Sequence, residues 1–353
     1  MSRSVLRLGT RKSPMAMAQS GQVARLITER TGARVELVGL TSFGDVTQVH
    51  LPEIGGTGVF VSALRESLRH GDVDLAVHSL KDLPTAPLPG ILLAAVPVRE
   101  DPRDALVGRD GAKLADLPSG ATIGTGSPRR AAQLRLMRPD VRPVPVRGNA
   151  GTRLAKVTSG ELDAVLLACA GLARIGALDL VSEVFEPDAM VPAPGQGALA
   201  VECLAGAGGL AGLLAQVDDP GTRAAVTAER TVLAELEAGC SAPLGAYAAG
   251  AGMLRLTAAV VAGDGMQAVR ASLTGPAAQA AKLGRDMAAE LLRQGAGTIV
   301  AAPAAVRAPG KRAPDPATTP GALGDGDDAQ CTSHPRCGRP RSRPPARGRA
   351  RAR

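Results

Sequence analysis

Residues 60–77 read FVSALRESLRHGDVDLAV, and residues 151–166 read GTRLAKVTSGELDAVL. Each stretch has apolar residues at helical spacing, then a glycine, an acidic residue and an aspartate, and then an apolar strand. This weak internal repeat predicts two similar α/β lobes with a ligand site in the crevice between them. The same junction is common in α/β proteins, so the repeat alone leaves a duplication open.

The segments around the first copy extend the same alternation. Residues 5–10 and 33–41 predict short strands, and the helical spacing of the residues between them ends at Gly32. Residues 58–70 predict an amphipathic helix, and residues 71–84 predict a strand and a turn. Alternating strands and helices are typical of α/β proteins and favour a mostly parallel sheet.

The pattern changes beyond residue 221. Residues 222–239 predict one long helix, and residues 246–263 and 266–275 predict two strands joined by a turn at 263–265. A final helix is predicted over residues 276–295. This part of the chain therefore predicts a small α+β domain.

Composition excludes several classes of protein. Of the 353 residues, 45% are hydrophobic and 21% are charged, which is ordinary for a soluble globular protein. No apolar run is long enough for a transmembrane helix, and the N-terminus lacks the apolar stretch of a secretory signal, so we expect a cytoplasmic protein without a membrane partner. Only four aromatic residues occur, Phe43, Phe60, Phe185 and Tyr247, which argues against single-strand nucleic-acid binding by base stacking.

The net charge of +8 comes largely from one end of the chain. Residues 302–353 hold eleven Lys or Arg, four Asp and nine of the 27 prolines, so the remaining residues are nearly neutral. This composition predicts a disordered basic tail, with a nucleic-acid or membrane-surface arm as the alternative. Cys331, His334 and Cys337 in the tail form an incomplete zinc site, and we expect no metal.

Three segments place arginines and hydroxyl groups where a helix begins. They are TRKSP at 10–14, GTGSPRR at 124–130 and RGNAGTR at 147–153. Helix N-termini and arginine forks both bind anions, so the three segments predict a ligand with several negative groups. Six Lys stand against 35 Arg in this chain, so genome composition and surface salt bridges are the alternative explanation.

A fourth segment, HSLKD at 78–82, follows a predicted strand. Asp82 beside Lys81 is a candidate for a fixed carboxylate or a proton donor, and a salt bridge within the turn is the alternative. His78 alone fits a hydrogen-bonded core histidine better than a catalyst. Among the cysteines, Cys169 and Cys203 lie in apolar runs and are predicted to be buried.

Cys240 differs because Gly, Ser and Pro surround it in LEAGCSAPLG. A thiol on such a loop is a candidate nucleophile, although no activating partner is visible in the sequence.

Together these segments resemble the porphobilinogen deaminase (hydroxymethylbilane synthase) family. The match covers about residues 5–250 in the family's order. The segments that carry it are RLGTRKSPMAMAQ, GGTGVFVSAL, DLAVHSLKDLPT, REDPRDAL, IGTGSPRRAAQL, VRGNAGTRLAK, DAVLLACAGLARIG, PAPGQGALAVEC, TAER and LEAGCSAPLG.

The resemblance implies an α/β fold of two lobes like those of type II periplasmic binding proteins, with mixed sheets, and a small α+β C-terminal domain. We expect domain 1 at residues 1–97 and 194–216, domain 2 at 98–193, domain 3 at 217–301 and the tail at 302–353. Nothing in the family matches the tail.

The resemblance also implies an activity and a cofactor. The chain would hold a dipyrromethane through a thioether to Cys240 and add four porphobilinogen molecules to it with loss of ammonia. Hydrolysis would then release hydroxymethylbilane. A cytoplasmic monomer of tetrapyrrole and heme biosynthesis is implied, with hand-over of its product to uroporphyrinogen-III synthase. The alternative function is a non-catalytic two-lobed protein that binds a polycarboxylate.

The family's site residues carry over position by position. Asp82 matches the catalytic aspartate. The cofactor residues are Cys240, Ser79, Lys81, Thr125, Ser127, Arg129, Arg130, Arg147 and Arg153, and the substrate residues are Arg11, Ser13, Arg147, Arg153 and Arg174. Thr57 stands where many members have a lysine, so no role is carried over to it, and Gly126 and Pro128 also replace commoner residues.

Overall fold

Thirteen strands and nine helices make up residues 5–40, 58–237 and 242–301, which are the residues that this computed structural model describes. The strands are β1 (Val5–Arg11), β2 (Arg34–Leu40), β3 (Leu75–Ser79), β4 (Ile91–Ala95), β5 (Asp104–Gly108), β6 (Thr122–Gly124), β7 (Arg142–Val144), β8 (Ala164–Ala168), β9 (Glu183–Phe185), β10 (Leu199–Leu204), β11 (Leu244–Ala249), β12 (Met253–Val261) and β13 (Ala268–Pro276). The helices are α1 (Pro14–Thr31), α2 (Gly58–His70), α3 (Pro128–Met137), α4 (Ala150–Thr158), α5 (Cys169–Arg174), α6 (Gly208–Leu214), α7 (Pro220–Glu235), α8 (Ala280–Arg293) and α9 (Ala296–Ala301).

Two five-stranded sheets share one topology. Their strand orders are β2-β1-β3-β10-β4 and β7-β6-β8-β5-β9. In each sheet the first three strands are parallel, and the fourth strand is antiparallel to both of its neighbours. The prediction of two lobes with mixed sheets is confirmed. The expectation of a mostly parallel sheet is wrong for half of the strand pairs, because β10 in one sheet and β5 in the other run antiparallel to both neighbours.

The sequence repeat has the same structural role in both lobes. Gly71 and Gly160 end their helices with φ of 73° and 78°, a backbone conformation that suits glycine. The carboxylate of Asp74 then accepts a 2.8 Å hydrogen bond from the amide of Arg7 on β1. In the second lobe Asp163 accepts a 2.7 Å bond from the amide of Thr122 on β6. Each aspartate thus accepts a hydrogen bond from a backbone amide of the neighbouring parallel strand.

The three arginine-rich segments begin helices, as the sequence predicts. Ser13 caps α1 by accepting from the amide of Ala16, and Ser127 caps α3 by accepting from the amide of Arg130. Asn149 caps α4 in the same way. Helices α1 and α3 also have proline in the first turn, where a missing N–H costs nothing. Capping thus fixes where the arginine-rich loops meet their helices.

The third sheet is antiparallel, in the order β11-β12-β13, and α7 and α8 pack on it. Val232, Leu256 and Met287 are completely buried in this core. The small α+β domain is therefore confirmed.

Two details of the third domain differ from the sequence prediction. Residues 246–263 form parts of two strands, because Gly250 and Gly252 adopt φ of 132° and 74° and turn the chain back. The predicted helix over 222–239 ends at Glu235, and Glu237 has a φ of 48°.

Several predictions stand apart from the sheets. Cys169 and Cys203 are buried as expected, and burial raises the pKa of the Cys169 thiol to about 11. Across the described ranges no helix has the length and apolar character needed to cross a membrane. The domain boundaries stay a prediction, and Cys240, Thr57 and the tail lie outside the described residues.

Candidate functional site

Most of the predicted site residues follow parallel strands of the two lobes. Arg11 ends β1 and Ser13 follows it. Ser79 ends β3, and Lys81 and Asp82 follow it in a short 3-10 turn, Leu80–Asp82. In the second lobe Thr125, Ser127, Arg129 and Arg130 follow β6, and Arg174 ends α5, which follows β8. Ligands of α/β sheets bind at these carboxyl ends.

A buried carboxylate organises two of the predicted arginines. Asp104 is completely buried, and its two oxygens lie 2.7 Å from Nη1 of Arg129 and 2.7 Å from Nη2 of Arg130. Burial alone would raise the pKa of Asp104, but the two guanidinium groups hold it well below its ordinary value. Asp104 therefore carries a negative charge and fixes both arginine side chains. The sequence analysis did not single it out.

Gln196 joins this ion cluster to the first lobe. Its amide nitrogen donates to Asp104 at 2.8 Å and to the carbonyl of Pro102 at 2.7 Å. Its amide oxygen accepts from Nη2 of Arg130 and from Nζ of Lys81, both at 3.3 Å. All four hydrogen-bonding positions of the amide are thus used.

The sequence analysis also missed Gln196. The available signal was the pair of glycines around it in PGQG, which have φ of 74° and 88°.

The site has an excess of positive charge. Burial and the nearby charge of Arg130 lower the pKa of Lys81 to about 8, although Asp82 and Asp104 act in the opposite direction. Burial and Arg130 also lower the pKa of Arg153. We call this group the cationic cluster: Lys81, Arg129, Arg130 and Arg153, with Asp82, Asp104 and Gln196. Its cations outnumber its carboxylates, so a ligand with carboxylate groups would be stabilised here.

The predicted hydroxyl residues have local structural partners. Ser79 Oγ accepts from Nε2 of Gln19 at 3.0 Å, and Thr125 Oγ1 accepts from the amide of Ser127 at 3.2 Å. Ser13 and Ser127 are the helix caps described above. These bonds fix the loops that precede α1 and α3.

The remaining arginines occupy different environments. Arg174 is partly buried; its Nε lies 2.9 Å from Glu100, and its Nη2 donates to the carbonyl of Gly197 at 3.0 Å. Arg153 Nε donates to the carbonyl of Gly148 at 3.0 Å. Arg147 is exposed, and Arg11 is partly buried. The structure therefore brings Lys81, Arg129, Arg130 and Arg153 together. Arg174 instead contacts the two joining segments, residues 96–103 between β4 and β5 and residues 186–198 between β9 and β10.

A second buried ionic group joins α2, β3 and β10. Glu202 receives two hydrogen bonds from Arg65, at 2.7 and 2.9 Å, and lies 3.2 Å from Nε2 of His78. Burial would raise the pKa of Glu202, but contacts with His78 and Arg65 lower it to about 2. His78 is thus a core histidine paired with a carboxylate, as the sequence analysis favoured.

A third ionic contact joins the C-terminal domain to the two joining segments. Glu229 on α7 is completely buried and pairs with Arg99 at 2.6 Å. It also accepts from the amides of Gly195, at 2.7 Å, and Ala248, at 2.8 Å. One carboxylate therefore contacts both joining segments and β11.

The site fits a ligand that carries several carboxylates. The Arg129 Nε atom is buried and lacks a hydrogen-bond partner within the described residues. Burial, together with the positive charge of Arg130, lowers the pKa values of Lys81 and Arg153. Amide groups at the start of α3 add to this potential. A two-lobed α/β protein with a polycarboxylate site is the class that this arrangement defines.

Comparison with known proteins identifies the family. The sequence model described as "Porphobilinogen deaminase, dipyromethane cofactor binding domain" matches residues 6–210. The model described as "Porphobilinogen deaminase, C-terminal domain" matches residues 223–293. The chain belongs to the porphobilinogen deaminase family, whose members are transferases of tetrapyrrole biosynthesis.

Curated relatives agree over nearly their whole length. Porphobilinogen deaminase of Thermobifida fusca is 62% identical over 317 residues, which are 87% of this chain and 99% of that protein. Porphobilinogen deaminase 1 of Streptomyces coelicolor is 54% identical over 314 residues, with 85% and 98% covered.

The similarity to solved structures is weaker. The periplasmic VFT2 domain of Bordetella pertussis BvgS is 18% identical, with a TM-score of 0.38 and coverage of 61% of this chain and 86% of that one. An arginine-specific periplasmic binding protein of Salmonella typhimurium is 16% identical, with a TM-score of 0.36 and coverage of 63% and 94%.

Removing the buried charge of Asp104 should destabilise the protein. We expect Asp104→Asn to lower the free energy of unfolding by about 3–5 kcal/mol, because two buried guanidinium groups lose their counter-ion. Urea unfolding followed by circular dichroism measures this change. The control is Asp286→Asn, which breaks an exposed pair with Lys282 and should cost about 0.3–0.5 kcal/mol. Equal losses in the two variants would contradict the structural role of Asp104.

Proposed function

We propose that this chain carries out the porphobilinogen deaminase reaction with the cationic cluster and the Asp82 turn as its active site. The observation that carries this assignment is the junction of Lys81 from one lobe and Arg130 from the other on Gln196. Four porphobilinogen molecules condense head to tail with loss of ammonia, and hydrolysis releases hydroxymethylbilane. Each pyrrole carries an acetate and a propionate, which match the excess of positive charge.

The dipyrromethane cofactor fits this site because its four carboxylates complement the cluster. When bound, it supplies the pyrrole carbon to which the first substrate is joined. We assign its attachment to Cys240 and its carboxylates to Lys81, Arg129, Arg130 and Arg153. Ser79, Thr125, Ser127 and the exposed Arg147 complete this set.

Asp82 supplies the carboxylate at the reacting centre. In the 3-10 turn it follows Lys81 directly and is partly buried. A fixed carboxylate there accepts hydrogen bonds from pyrrole N–H groups and stabilises the positive charge that develops as ammonia leaves the substrate. We also assign to Asp82 the proton transfers that ammonia loss and rearomatisation require.

Incoming substrate is assigned to the arginines nearer the edge of the site. Arg11 and Ser13 lie at the start of α1, and Arg147 and Arg153 flank the start of α4. Arg174 is paired with Glu100, so substrate carboxylates would compete with that pair. A bidentate guanidinium contact distinguishes a carboxylate from other groups better than an ammonium does.

The wider setting rests on the same assignment. We propose a cytoplasmic monomer that delivers its product to uroporphyrinogen-III synthase, because a linear, reactive tetrapyrrole needs a consuming enzyme. The non-catalytic binding protein is not favoured, since it gives no role to Asp82 or Cys240.

The attachment of the cofactor has a direct test by mass. We expect the intact protein to be heavier than its sequence by two pyrrole units, with the added mass on the peptide that contains Cys240. Cys240→Ala should lack that mass and be inactive, whereas Cys169→Ala, a buried thiol in the second lobe, should keep it. An adduct on Cys169 or Cys203, or an active Cys240→Ala protein, would disprove the assignment.

The role of Asp82 is tested by an isosteric change. We expect Asp82→Asn to fold, to carry the cofactor and to lose about 100-fold or more in kcat, as for the removal of a preorganised electrostatic group. Steady-state assay of porphobilinogen consumption measures the loss. Asp116→Asn, which alters the last residue of another 3-10 turn in the second lobe, is the control and should keep its kcat. If both variants lose stability and neither loses kcat, Asp82 has only a structural role.

The pKa of Lys81 gives a test that does not depend on activity. In Cys240→Ala, which lacks the anionic cofactor, Lys81 should titrate near pH 8. In the wild type its pKa should be higher, because nearby carboxylates favour the protonated ammonium. NMR of the protein with ¹³C-methylated lysines measures this, and Lys81→Arg assigns the signal among the six lysines. The same Lys81 pKa in both proteins would place the carboxylates elsewhere.

A further inference from the structure

Arg230 on α7 contacts the turn that carries Lys81 and Asp82. Its Nη1 donates to the carbonyls of Leu80 at 3.1 Å and Leu83 at 2.7 Å, and its Nη2 donates to the carbonyl of Pro84 at 2.7 Å. We propose that Arg230 is a positioning residue, which holds the Asp82 carboxylate in place through the backbone of this turn. The inference rests on the function proposed above for Asp82.

The turn has little stability of its own. Leu80–Asp82 is a single 3-10 turn, and its backbone is closed by one bond from the amide of Leu83 to the carbonyl of Leu80. Helical segments this short are not stable without outside contacts. Carbonyls at a helical end need donors, and Arg230 supplies them at three positions.

Apolar packing holds only one side of this turn, where Leu80 and Leu83 are 0% and 3% exposed in a buried apolar cluster. The segment from Leu83 to Leu88 lines a cavity of about 300 Å³, together with Arg230 and residues of β4 and α7. The chain from Pro84 to Leu88 is therefore not enclosed by close-packed side chains on that side. The hydrogen bonds from Arg230 then hold the backbone of the turn on this open side. Their loss would matter for catalysis, because misplacing a reacting group by about 1 Å can cost about 100-fold in rate.

The planar guanidinium suits this role. One group reaches three carbonyls from two nitrogens, which an ammonium on a flexible stem cannot reproduce with the same geometry. Arg230 also stands ten positions before Cys240, on the helix that leads toward the proposed attachment residue. The side chain therefore ties the helix before the cofactor's anchor to the turn that bears the catalytic carboxylate.

A neighbouring arginine provides the matched control. Arg223 lies on the same helix, pairs with Asp218 and donates to the carbonyls of Leu93 and Ala94, at 3.5 and 3.2 Å. Like Arg230 it joins α7 to the backbone of the first lobe. It has no bond to the Leu80–Pro84 segment among the contacts of the described residues.

The experiment compares Arg230→Gln and Arg230→Lys with Arg223→Gln in the full chain carrying its cofactor. We expect both Arg230 variants to keep their dipyrromethane and to bind porphobilinogen with little change in KM, while kcat falls about 10- to 100-fold. Arg223→Gln should lose similar thermal stability and keep kcat within about twofold. An Arg230→Gln protein with the kcat of Arg223→Gln would overturn the proposal.

A double-mutant cycle separates positioning from general stability. If Arg230 acts through Asp82, Arg230→Gln should cause little further loss of kcat in an Asp82→Asn background. Full additivity of the two losses would overturn the proposal, and Arg230→Lys serves if Arg230→Gln does not fold. A wild type without porphobilinogen turnover would instead refute the proposed function, so the two failures are distinguishable.

Discussion

The ion pair network around Asp104 is the interaction on which the arrangement of the site depends. A carboxylate with no exposure to solvent is costly unless cations and hydrogen bonds compensate for it. Arg129, Arg130 and Gln196 supply that compensation, and in return their own positions are fixed. In the function proposed above, these arginines bind the cofactor's carboxylates with their side chains already fixed, so less conformational entropy is lost when the ligand binds.

Two other buried carboxylates are compensated in the same way. Glu229 on α7 pairs with Arg99 in the segment between β4 and β5, and Glu202 on β10 pairs with Arg65 of α2 and His78 of β3. Each case has one buried carboxylate with several donors from different elements. Such groups are sensitive to geometry, because an unpaired buried charge costs several kcal/mol. They therefore specify how helices and sheets lie relative to one another more sharply than apolar contacts do.

Local patterns in the sequence predicted the parts of the site that are local. Capping residues, the Gly-acid-x-Asp repeat and the arginines after strands follow from neighbours in the chain, and the structure confirms their placement at helix starts and strand ends. Asp104, Gln196 and Arg230 could not be found in this way, because their partners lie 25 to 150 positions away. The merged strand prediction over 246–263 failed for a different reason. Small and apolar residues continue on both sides of Gly250, and only the positive φ of Gly250 and Gly252 shows the turn.

The shared topology of the lobes has a consequence for the order in which the chain can fold. Within the described residues β4 pairs only with β10 in the first sheet, and β10 also pairs with β3. During synthesis β10 leaves the ribosome after the whole of the second sheet, which is continuous from β5 to β9. The second lobe can therefore complete its sheet before the first, although domains made earlier usually fold earlier. Until residue 204 has been made, the first lobe keeps two unpaired strand edges, and these are the edges that a nascent chain must protect from other chains.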